Sequence, residues 1–334
     1  MKIVLGFSGG VDSAVTAALL RRAGHQVLGL YLDNAGERER REAQRTAEFM
    51  DIPLTVRDVK AELEEAVCRP FTEAYLRGET PNPCILCNPA VKFRALIEEA
   101  DRQGAERVAT GHYARCENGV LYKGRSANDQ SYMLCRLRPE QLERLTLPLG
   151  SFEKTQVRAM AEDFGLPVAH KPDSMEICFI PDKDYIGWLG RRTPLPPEGE
   201  LVFHGRVLGT HRGIHRYTVG QRLPGLVEGR KVYIARLDAA ENRVALALWE
   251  ELFHTEVWAR DFNWQCPVPD GPVRASVRVR HTKWENPPCT ARIEGDRVRI
   301  CCDEPVRAPA PGQSAVLYDG ERVLGGGFIV PDPA

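Results

Sequence analysis

Apolar runs and helical patterns alternate through the first 110 residues of the chain. An apolar strand at 3–5 leads through a glycine-rich turn at 6–10 into a segment whose apolar residues recur at helical spacing. Because neighbouring parallel strands need crossover connections, this alternation predicts a doubly wound parallel α/β sheet that binds ligands at the carboxyl ends of its strands. The further predicted elements are strands 27–32, 54–59 and 107–110 and helices 37–50, 61–76 and 91–103.

The second half of the chain has a different pattern. A proline-rich stretch at 191–199 predicts a boundary, and from about residue 252 short strands separated by turns predict a small β-barrel. We therefore expect three domains: a catalytic α/β domain at 1–190, a small central domain at 191–248 and a C-terminal barrel at 249–334.

Composition narrows the class of protein. A length of 334 residues, with 43% hydrophobic and 27% charged, suits two or three soluble domains, and a net charge of -1 gives no global sign of a nucleic-acid partner. The sequence has no apolar run of 18 residues and no signal peptide, so we expect a cytoplasmic monomer. Its ten cysteines are then more consistent with thiols, catalytic groups or metal ligands than with structural disulfides.

The turn after the first strand has the features of a phosphate site. Unpaired backbone N–H groups at a helix start attract anions, and Gly9 and Gly10 allow the backbone to approach closely. Ser8 and Ser13 add hydroxyl groups, and Asp12 could hold a magnesium ion on the phosphates. This chemistry predicts binding of the pyrophosphate part of a nucleotide.

Other interpretations of the same turn are weaker. A Walker A loop would need a lysine that is missing, and the glycines do not have the Rossmann spacing. The turn does match the G-x-S-x-G nucleophile elbow, but a hydrolase elbow normally follows several strands, whereas this strand is the first. A plain glycine-rich strand–helix turn also stays open.

A second motif, the C-x-x-C of Cys84 and Cys87, lies within the segment 80–88. Two prolines in this segment lead us to expect a loop without helix. A single C-x-x-C is compatible with a zinc half-site, a redox pair or an iron–sulfur half-site, and no second C-x-x-C follows. We expect simple packing for the remaining cysteines outside the motifs, which are Cys68, Cys116, Cys135, Cys266, Cys289, Cys301 and Cys302.

Two basic features of the later chain suggest contact with nucleic acid. Between residues 204 and 231 there are six Arg or Lys and one acid, Glu228, although such charge runs are commonly just solvated. Arg274, Arg278 and Arg280 share one side of an alternating strand opposite apolar residues, an arrangement that suits an RNA backbone.

Several strings in the sequence resemble those of one known family. SGGVDS resembles the PP-motif of N-type ATP pyrophosphatases. Together with TPNPxxLCN, ATGHY, DQSYxL, K-x-QVR, DSxxICFI and PGQSAVxY, it occurs in the order found in tRNA-specific 2-thiouridylases, the MnmA/TrmU family. The resemblance covers nearly the whole chain and implies a PP-loop, adenine nucleotide alpha hydrolase-like sheet. It also implies an enzyme that adenylates C2 of the wobble uridine in tRNAs for lysine, glutamate and glutamine, and then replaces the oxygen with sulfur.

The resemblance further implies partners and site residues. ATP, Mg²⁺, tRNA and a sulfur-donor protein, either a cysteine desulfurase or a sulfur-relay protein, are expected. By family correspondence Cys178 carries a persulfide and Cys87 attacks it, which ends in a Cys87 to Cys178 disulfide. The residues expected against ATP are Gly6, Phe7, Ser8, Gly9, Gly10, Val11, Asp12, Ser13, Leu32 and Gly111. Those expected against tRNA are Asn82, Pro83, Cys84, His112, Asn128, Asp129, Gln130, Arg280, His281 and Gln313.

The chain departs from the family pattern at two places. Cys84 stands where many members have an aspartate proposed to assist proton transfer, and the loop LDNAGERER is shorter and more basic than usual. With Cys84 present, Cys84, Cys87 and Cys178 could instead hold a [4Fe-4S] cluster with one open iron. We prefer the persulfide route, because Cys87 and Cys178 lie in the strings where that route needs them. Two other functions stay open, a PP-loop ligase acting on a small molecule and a non-catalytic RNA-binding iron–sulfur protein.

Overall fold

A computed structural model describes residues 1–34, 36–125, 127–172, 177–280 and 286–332. The chain divides into two compact units. The first unit comprises Met1–Val67, Cys84–Lys183 and Glu321–Val323, and the second comprises Cys68–Pro83, Asp184–Gly320 and Leu324–Ala334. The predicted domain boundaries near residues 190 and 248 stay a prediction. Among the described helices, none has the length and apolar character needed to cross a membrane.

The first unit is built on a five-stranded parallel sheet in the order β3-β2-β1-β4-β7. Strand β1 is central, and the chain continues to β2 on one side of it and later to β4 on the other, so the order reverses between β1 and β4. This confirms the predicted doubly wound sheet, whose ligand crevice lies at such a reversal. The strands of this sheet are β1 Lys2–Gly6, β2 Gln26–Asp33, β3 Leu54–Asp58, β4 Arg107–Ala109 and β7 Leu145–Thr146. Outside it, β5 Ala114–Glu117 and β6 Val120–Lys123 form an antiparallel pair.

The helices lie where the sequence pattern predicts them, but π-helical segments occur within or next to two of them. The predicted helix 61–76 is interrupted by a π-helical segment at Glu64–Cys68, and the predicted helix 91–103 is preceded by another at Asn88–Lys92. The described helices are α1 Val11–Arg22, α2 Glu37–Phe49, α3 Lys60–Leu63, α4 Arg69–Leu76, α5 Pro83–Cys87, α6 Phe93–Gln103, α7 Pro139–Glu143, α8 Lys154–Asp163 and α9 Tyr185–Gly190.

The expectation that the prolines exclude helix from 80–88 is wrong. Helix α5 begins at Pro83 and ends at Cys87. Proline is tolerated at the first helical position, because the N–H that it lacks would have no intrahelical partner there. Cys84 and Cys87 therefore lie one helical turn apart, and α5 runs directly into the π-helical segment.

The second unit contains two β-structures with separate cores. A four-stranded sheet has the order β10-β11-β8-β9, and the predicted C-terminal barrel is confirmed as six strands in the order β12-β15-β14-β13-β16-β17, closed by pairing of β12 with β17. The strands are β8 Gly199–Phe203, β9 Arg206–His211, β10 Tyr233–Asp238, β11 Arg243–Ala247, β12 Phe253–Trp264, β13 Val273–Arg278, β14 Pro288–Glu294, β15 Arg297–Arg307, β16 Ser314–Asp319 and β17 Arg322–Val330.

The barrel also tests the expected packing of the cysteines. Cys289 and Cys302 are buried in its core, whereas Cys301 is exposed. Successive side chains of a strand point to opposite faces, so the neighbours Cys301 and Cys302 cannot both face the core. Simple packing is therefore wrong for Cys301.

Candidate active site

The turn between β1 and α1 is fixed by a close approach to α2. Gly9 has φ +69°, and a Cβ added there would lie 2.5 Å from Cα of Ala43, so only glycine fits. Gly10 is the N-cap of α1, and Ser13 Oγ donates to its carbonyl at 3.0 Å. Ser8 Oγ lies 3.3 Å from Ser13 Oγ and accepts from the Gly10 N–H at 3.4 Å. The hydroxyls and the free N–H groups of the helix start thus surround one small concave turn, which is suited to an anion.

Asp12 is held by two partners at the same crevice. The Lys154 ammonium lies 2.8 Å from Oδ1 and 2.9 Å from Oδ2, and the Tyr113 hydroxyl donates to Oδ1 at 2.8 Å. A Cβ on Gly111 would come within 3.0 Å of Asp12, so the chain beyond β4 approaches the start of α1 as closely as it can. The reversal between β1 and β4 therefore carries a carboxylate and an ammonium side by side.

Lys154 is a residue of this crevice that sequence reasoning did not assign to the site. It is the first residue of α8, where the helix dipole disfavours a cation. A lysine at that position needs a compensating partner elsewhere, and this was the available signal. Lys154 thus brings a lysine to the crevice, although the turn itself contains none.

The thiols of Cys84, Cys87 and Cys178 influence one another, so they lie in one neighbourhood of the first unit. Burial is the main cause that raises the pKa of Cys87 to about 11, the thiols of Cys178 and Cys84 act in the same direction, and Lys92 opposes them. All three are free cysteines, and Cys84 and Cys178 are exposed whereas Cys87 is half-buried. The structure therefore has the reduced form of the predicted disulfide pair, and the disulfide stays a prediction.

Cys178 has two further neighbours that sequence reasoning missed. The Asn34 side chain, just after β2, donates to Cys178 Sγ at 3.3 Å. Although the residue has exposed surface, the protein atoms around the Cys178 thiol partly desolvate it and raise its pKa, while Lys92 and the Asn34 hydrogen bond lower it. Asn34 lies in the loop that departs from the family pattern, so this loop keeps at least one contact with the Cys178 sulfur.

The structure gives no support to a metal site at the three cysteines. Within the ranges that the structure describes, no group of three His, Cys, Asp or Glu side chains is arranged to hold a metal ion. We therefore treat the three residues as thiols.

His112 follows β4 in the first unit, and the Lys92 charge acts on it as it acts on Cys87 and Cys178. Its Nδ1 is 2.7 Å from Thr110 Oγ1, and its ring stacks on Phe93 with 6.0 Å between centroids. Burial, with a smaller contribution from the Lys92 charge, holds the pKa of His112 well below its ordinary value. The imidazole is therefore neutral at neutral pH.

Comparison with known proteins places this arrangement in a family. Residues 1–182 match the family described as tRNA methyl transferase HUP domain, 197–247 the tRNA methyl transferase PRC-barrel domain, and 254–329 the aminomethyltransferase beta-barrel domain. A "tRNA-specific 2-thiouridylase MnmA" of Syntrophotalea carbinolica is 44% identical, with 98% of each chain covered. Proteins of the same name from Geobacter metallireducens and Rickettsia massiliae are each 40% identical over 98% of this chain and 96% of theirs.

The chain belongs to the tRNA-specific 2-thiouridylase family. This confirms the resemblance found in the sequence strings. Solved structures are more distant: a 4-thiouridine synthetase–RNA complex with bound ATP has a TM-score of 0.35 at 19% identity, covering 57% of this chain and 50% of that one. An NMN synthetase from Francisella tularensis has a TM-score of 0.35 at 21% identity, covering 52% and 66%. Likenesses at this level bear on neither fold nor function.

Several residues that the thiouridylase family pattern assigns to tRNA have structural partners here. Asp129 is buried and accepts from the Gly124 N–H at 2.8 Å and the Ser131 N–H at 3.0 Å. Gln130 Oε1 accepts from the Tyr113 N–H at 3.0 Å, so this loop supports the tyrosine that binds Asp12. Asn128, which is also assigned to tRNA, is exposed. Leu32 and Gly111, which are assigned to ATP, are half-buried.

The tRNA residues assigned in the second unit also contact the protein itself. Arg280 donates to the carbonyls of Ala308 at 2.6 Å and Val219 at 3.3 Å, and Gln313 Nε2 donates to the Thr80 carbonyl at 2.8 Å. Asn82 and Pro83 are half-buried, and His281 lies outside the described residues. The tRNA contacts of all these residues stay predictions.

The structure divides the basic segment 204–231 into neutralised and free cations. Arg206 pairs with Glu228 and Arg230 with Glu250, whereas in the described part of the chain Arg212 and Arg222 have no carboxylate partner. All four arginines are exposed. In the row of arginines that begins on β13, Arg274 is likewise neutralised, because it pairs with Asp303.

This division gives a matched test of the predicted phosphate surface. Changing Arg212 and Arg222 to Gln should weaken tRNA binding and reduce the log–log salt slope by about 0.9 for each phosphate that is no longer neutralised. The same change at Arg206 and Arg230 should have a smaller effect, because acids already neutralise them. Binding titrations at several salt concentrations measure both. Equal slopes for the first pair and the parent protein would mean that these arginines are only solvated.

Proposed function

We propose that this chain is the ATP-dependent sulfurtransferase of its family, which converts the wobble uridine of tRNAs for lysine, glutamate and glutamine to 2-thiouridine. The observation that best supports this is the presence, in one compact unit, of a turn suited to phosphate with the Asp12 and Lys154 pair and of a group of three thiols. A small-molecule ligase would not need the thiols, and a non-catalytic RNA-binding iron–sulfur protein would not need the Asp12 and Lys154 pair at the phosphate turn.

We assign the adenylation of the base by ATP to the β1–α1 turn. In our proposal the C2 oxygen of uracil attacks the α-phosphorus of ATP, and pyrophosphate leaves with its charge facing the N–H groups of α1 and the Lys154 ammonium. Donors held in place before the reaction stabilise such charge without reorganisation; Asp12 holds Lys154 there, and Tyr113 in turn donates a hydrogen bond to Asp12. Mg²⁺ bound to ATP would add charge neutralisation, with Asp12 as its protein ligand and phosphates supplying others, as is usual for nucleotide sites.

We assign the sulfur transfer to the thiols of Cys87 and Cys178. A donor protein supplies a persulfide on Cys178, and the Cys87 thiolate attacks the inner sulfur of that persulfide. A new bond joins Cys87 to Cys178, the bond to the outer sulfur breaks, and the outer sulfur leaves with the electron pair. It then displaces AMP from C2 of the base. A thiol reductant reopens the disulfide and restores both cysteines.

The proposal is tested by reconstitution. Purified protein, unmodified tRNA for glutamate, ATP and a persulfide donor should yield 2-thiouridine, detected by mass spectrometry of tRNA nucleosides, together with one AMP and one pyrophosphate for each base modified. A tRNA whose wobble base is not uridine serves as the control substrate. ATP turnover that leaves the glutamate tRNA unmodified would contradict the proposal.

A further inference from the structure

Cys87 lies at the junction of two helical segments. It is the last residue of α5 and the N-cap of the π-helical segment Asn88–Lys92. π-Helical turns are rare, and they occur frequently at functional sites. The sulfur of a cysteine is attached to the backbone through one methylene group. Whatever fixes the backbone directly after Cys87 therefore also fixes the place of its sulfur.

The residue that follows Cys87 is held by a buried hydrogen bond. Asn88 is only 1% exposed, and its side-chain Nδ2 donates to the Met133 carbonyl at 2.8 Å. Asparagine is a poor helix former, and a buried amide costs free energy unless it is hydrogen-bonded. The bond to Met133 satisfies the amide and joins the start of the π-helical segment to the 3₁₀ turn Ser131–Leu134.

The next residue, Pro89, is held by a second buried amide. Gln141 of α7 is also 1% exposed, and its Nε2 donates to the Pro89 carbonyl at 2.9 Å. The Oε1 of the same side chain accepts from the Arg138 N–H at 3.0 Å, so the amide is fixed from both sides. Two buried side-chain bonds thus hold the two residues directly after Cys87.

The bond from Asn88 leads back to the nucleotide crevice. The Met133 N–H donates to the Gln130 carbonyl at 3.0 Å, and the Gln130 N–H donates to the Tyr113 carbonyl at 2.8 Å. Gln130 Oε1 also accepts from the Tyr113 N–H, and the Tyr113 hydroxyl donates to Asp12. Within the first unit, a short series of hydrogen bonds therefore connects Asp12 with Asn88.

We propose that Asn88 is a positioning residue for the sulfur transfer, because its buried amide holds Cys87 at a fixed place relative to the nucleotide crevice. The inference rests on the proposed function for the role of Cys87 as the attacking thiol. Asn88 acts through the backbone of Cys87 and itself forms or breaks no covalent bond. Displacing a reacting atom by about 1 Å can cost on the order of 10² in rate, so one buried hydrogen bond can influence this step.

The test uses Asn88→Leu, which keeps a similar shape and removes the N–H donor. Gln141→Met, which removes the donor to Pro89, tests the second clamp in the same way. Thr46→Val is the matched control, because it also removes a buried hydrogen bond of the first unit. The Thr46 hydroxyl is that of a 4% exposed residue and donates to the Glu42 carbonyl in α2 at 3.0 Å.

The first measurement is alkylation by iodoacetamide, followed at Cys84 and Cys87 separately by mass spectrometry. In the parent protein the half-buried Cys87 should be labelled more slowly than the exposed Cys84. Loss of one hydrogen bond should raise the population of the opened segment about two- to tenfold. Asn88→Leu should therefore accelerate labelling of Cys87 by that factor and leave Cys84 unchanged, whereas Thr46→Val should keep both parent rates.

The second measurement is a single turnover with tRNA, ATP and a persulfide donor. Asn88→Leu should form 2-thiouridine roughly ten- to a hundredfold more slowly, while tRNA-dependent pyrophosphate release stays near the parent rate. A merely structural role would reduce both rates together and would not change their ratio. If Asn88→Leu does not fold, Gln141→Met gives the same comparison, since it frees the neighbouring residue.

Equal labelling rates of Cys87 in Asn88→Leu and the parent would overturn the inference. An equal loss of pyrophosphate release and thiolation would overturn it too. The alkylation measurement needs neither ATP nor tRNA. A parent protein that makes no 2-thiouridine would therefore contradict the proposed function, while the labelling of Cys87 would still decide whether Asn88 holds it in place.

Discussion

Asp12→Ala is expected to abolish pyrophosphate release in the presence of tRNA. The substitution removes the proposed magnesium ligand and also frees Lys154, whose ammonium it holds at 2.8 and 2.9 Å. Loss of one preorganised electrostatic group commonly costs on the order of 10²–10³ in rate, and here two such groups fail together. A coupled enzyme assay for pyrophosphate measures this loss of activity.

Two further variants separate the contribution of Lys154 from that of Tyr113. Lys154→Met should resemble Asp12→Ala, and the double variant should be little worse than either single one, because the two residues act as a unit. Tyr113→Phe, which removes one hydrogen bond of 2.8 Å to Asp12, should cost much less. ATP turnover unchanged in Asp12→Ala would contradict the assignment of the phosphate turn. Ser8→Ala should not remove an ester hydrolase activity, because we expect none.

Cys87→Ser and Cys178→Ser are each expected to eliminate 2-thiouridine while tRNA-dependent pyrophosphate release continues. Serine cannot carry a persulfide or attack one, so the effect should be at least about 10³-fold, in the range seen when a catalytic nucleophile is removed. After a single turnover without reductant, peptide mapping of the parent should find a Cys87 to Cys178 disulfide. Thiolation retained in either serine variant would contradict the two-thiol mechanism.

Cys84→Ala is the matched control for the two serine variants. Cys84 is exposed and adjoins the same thiols, but the proposed cycle does not use it. We therefore expect this variant to keep much of its activity. A brown protein purified without oxygen, with about four irons per chain and with colour and activity both lost in Cys84→Ala, would favour cluster chemistry instead.

The sheet of the first unit could be predicted because its signal is local. Each strand is a short apolar run, each crossover has helical spacing, and the glycine-rich turn lies where the two meet. The same local reasoning failed at Pro83, where a residue that usually breaks helices begins one. It also missed the π-helical segment Glu64–Cys68, in which the backbone hydrogen bonds join residues five apart instead of four.

Pairs of residues distant in sequence could not be predicted in the same way. Lys154 is 142 residues from Asp12, and Asn34 is 144 residues from Cys178, so no spacing in the sequence connects them. Conversely, the exposed face expected for Arg280 is not evident from the structure, because backbone carbonyls of Ala308 and Val219 take its donors.

The close approach of Gly9 to α2 has a consequence for how this protein can vary. Ala43 is fully buried and its Cα occupies the space that any side chain at position 9 would need. A larger residue at position 43 would press on the same turn from the other side. Homologous chains should therefore keep small residues at both positions, or exchange them only in concert with a displacement of the helix.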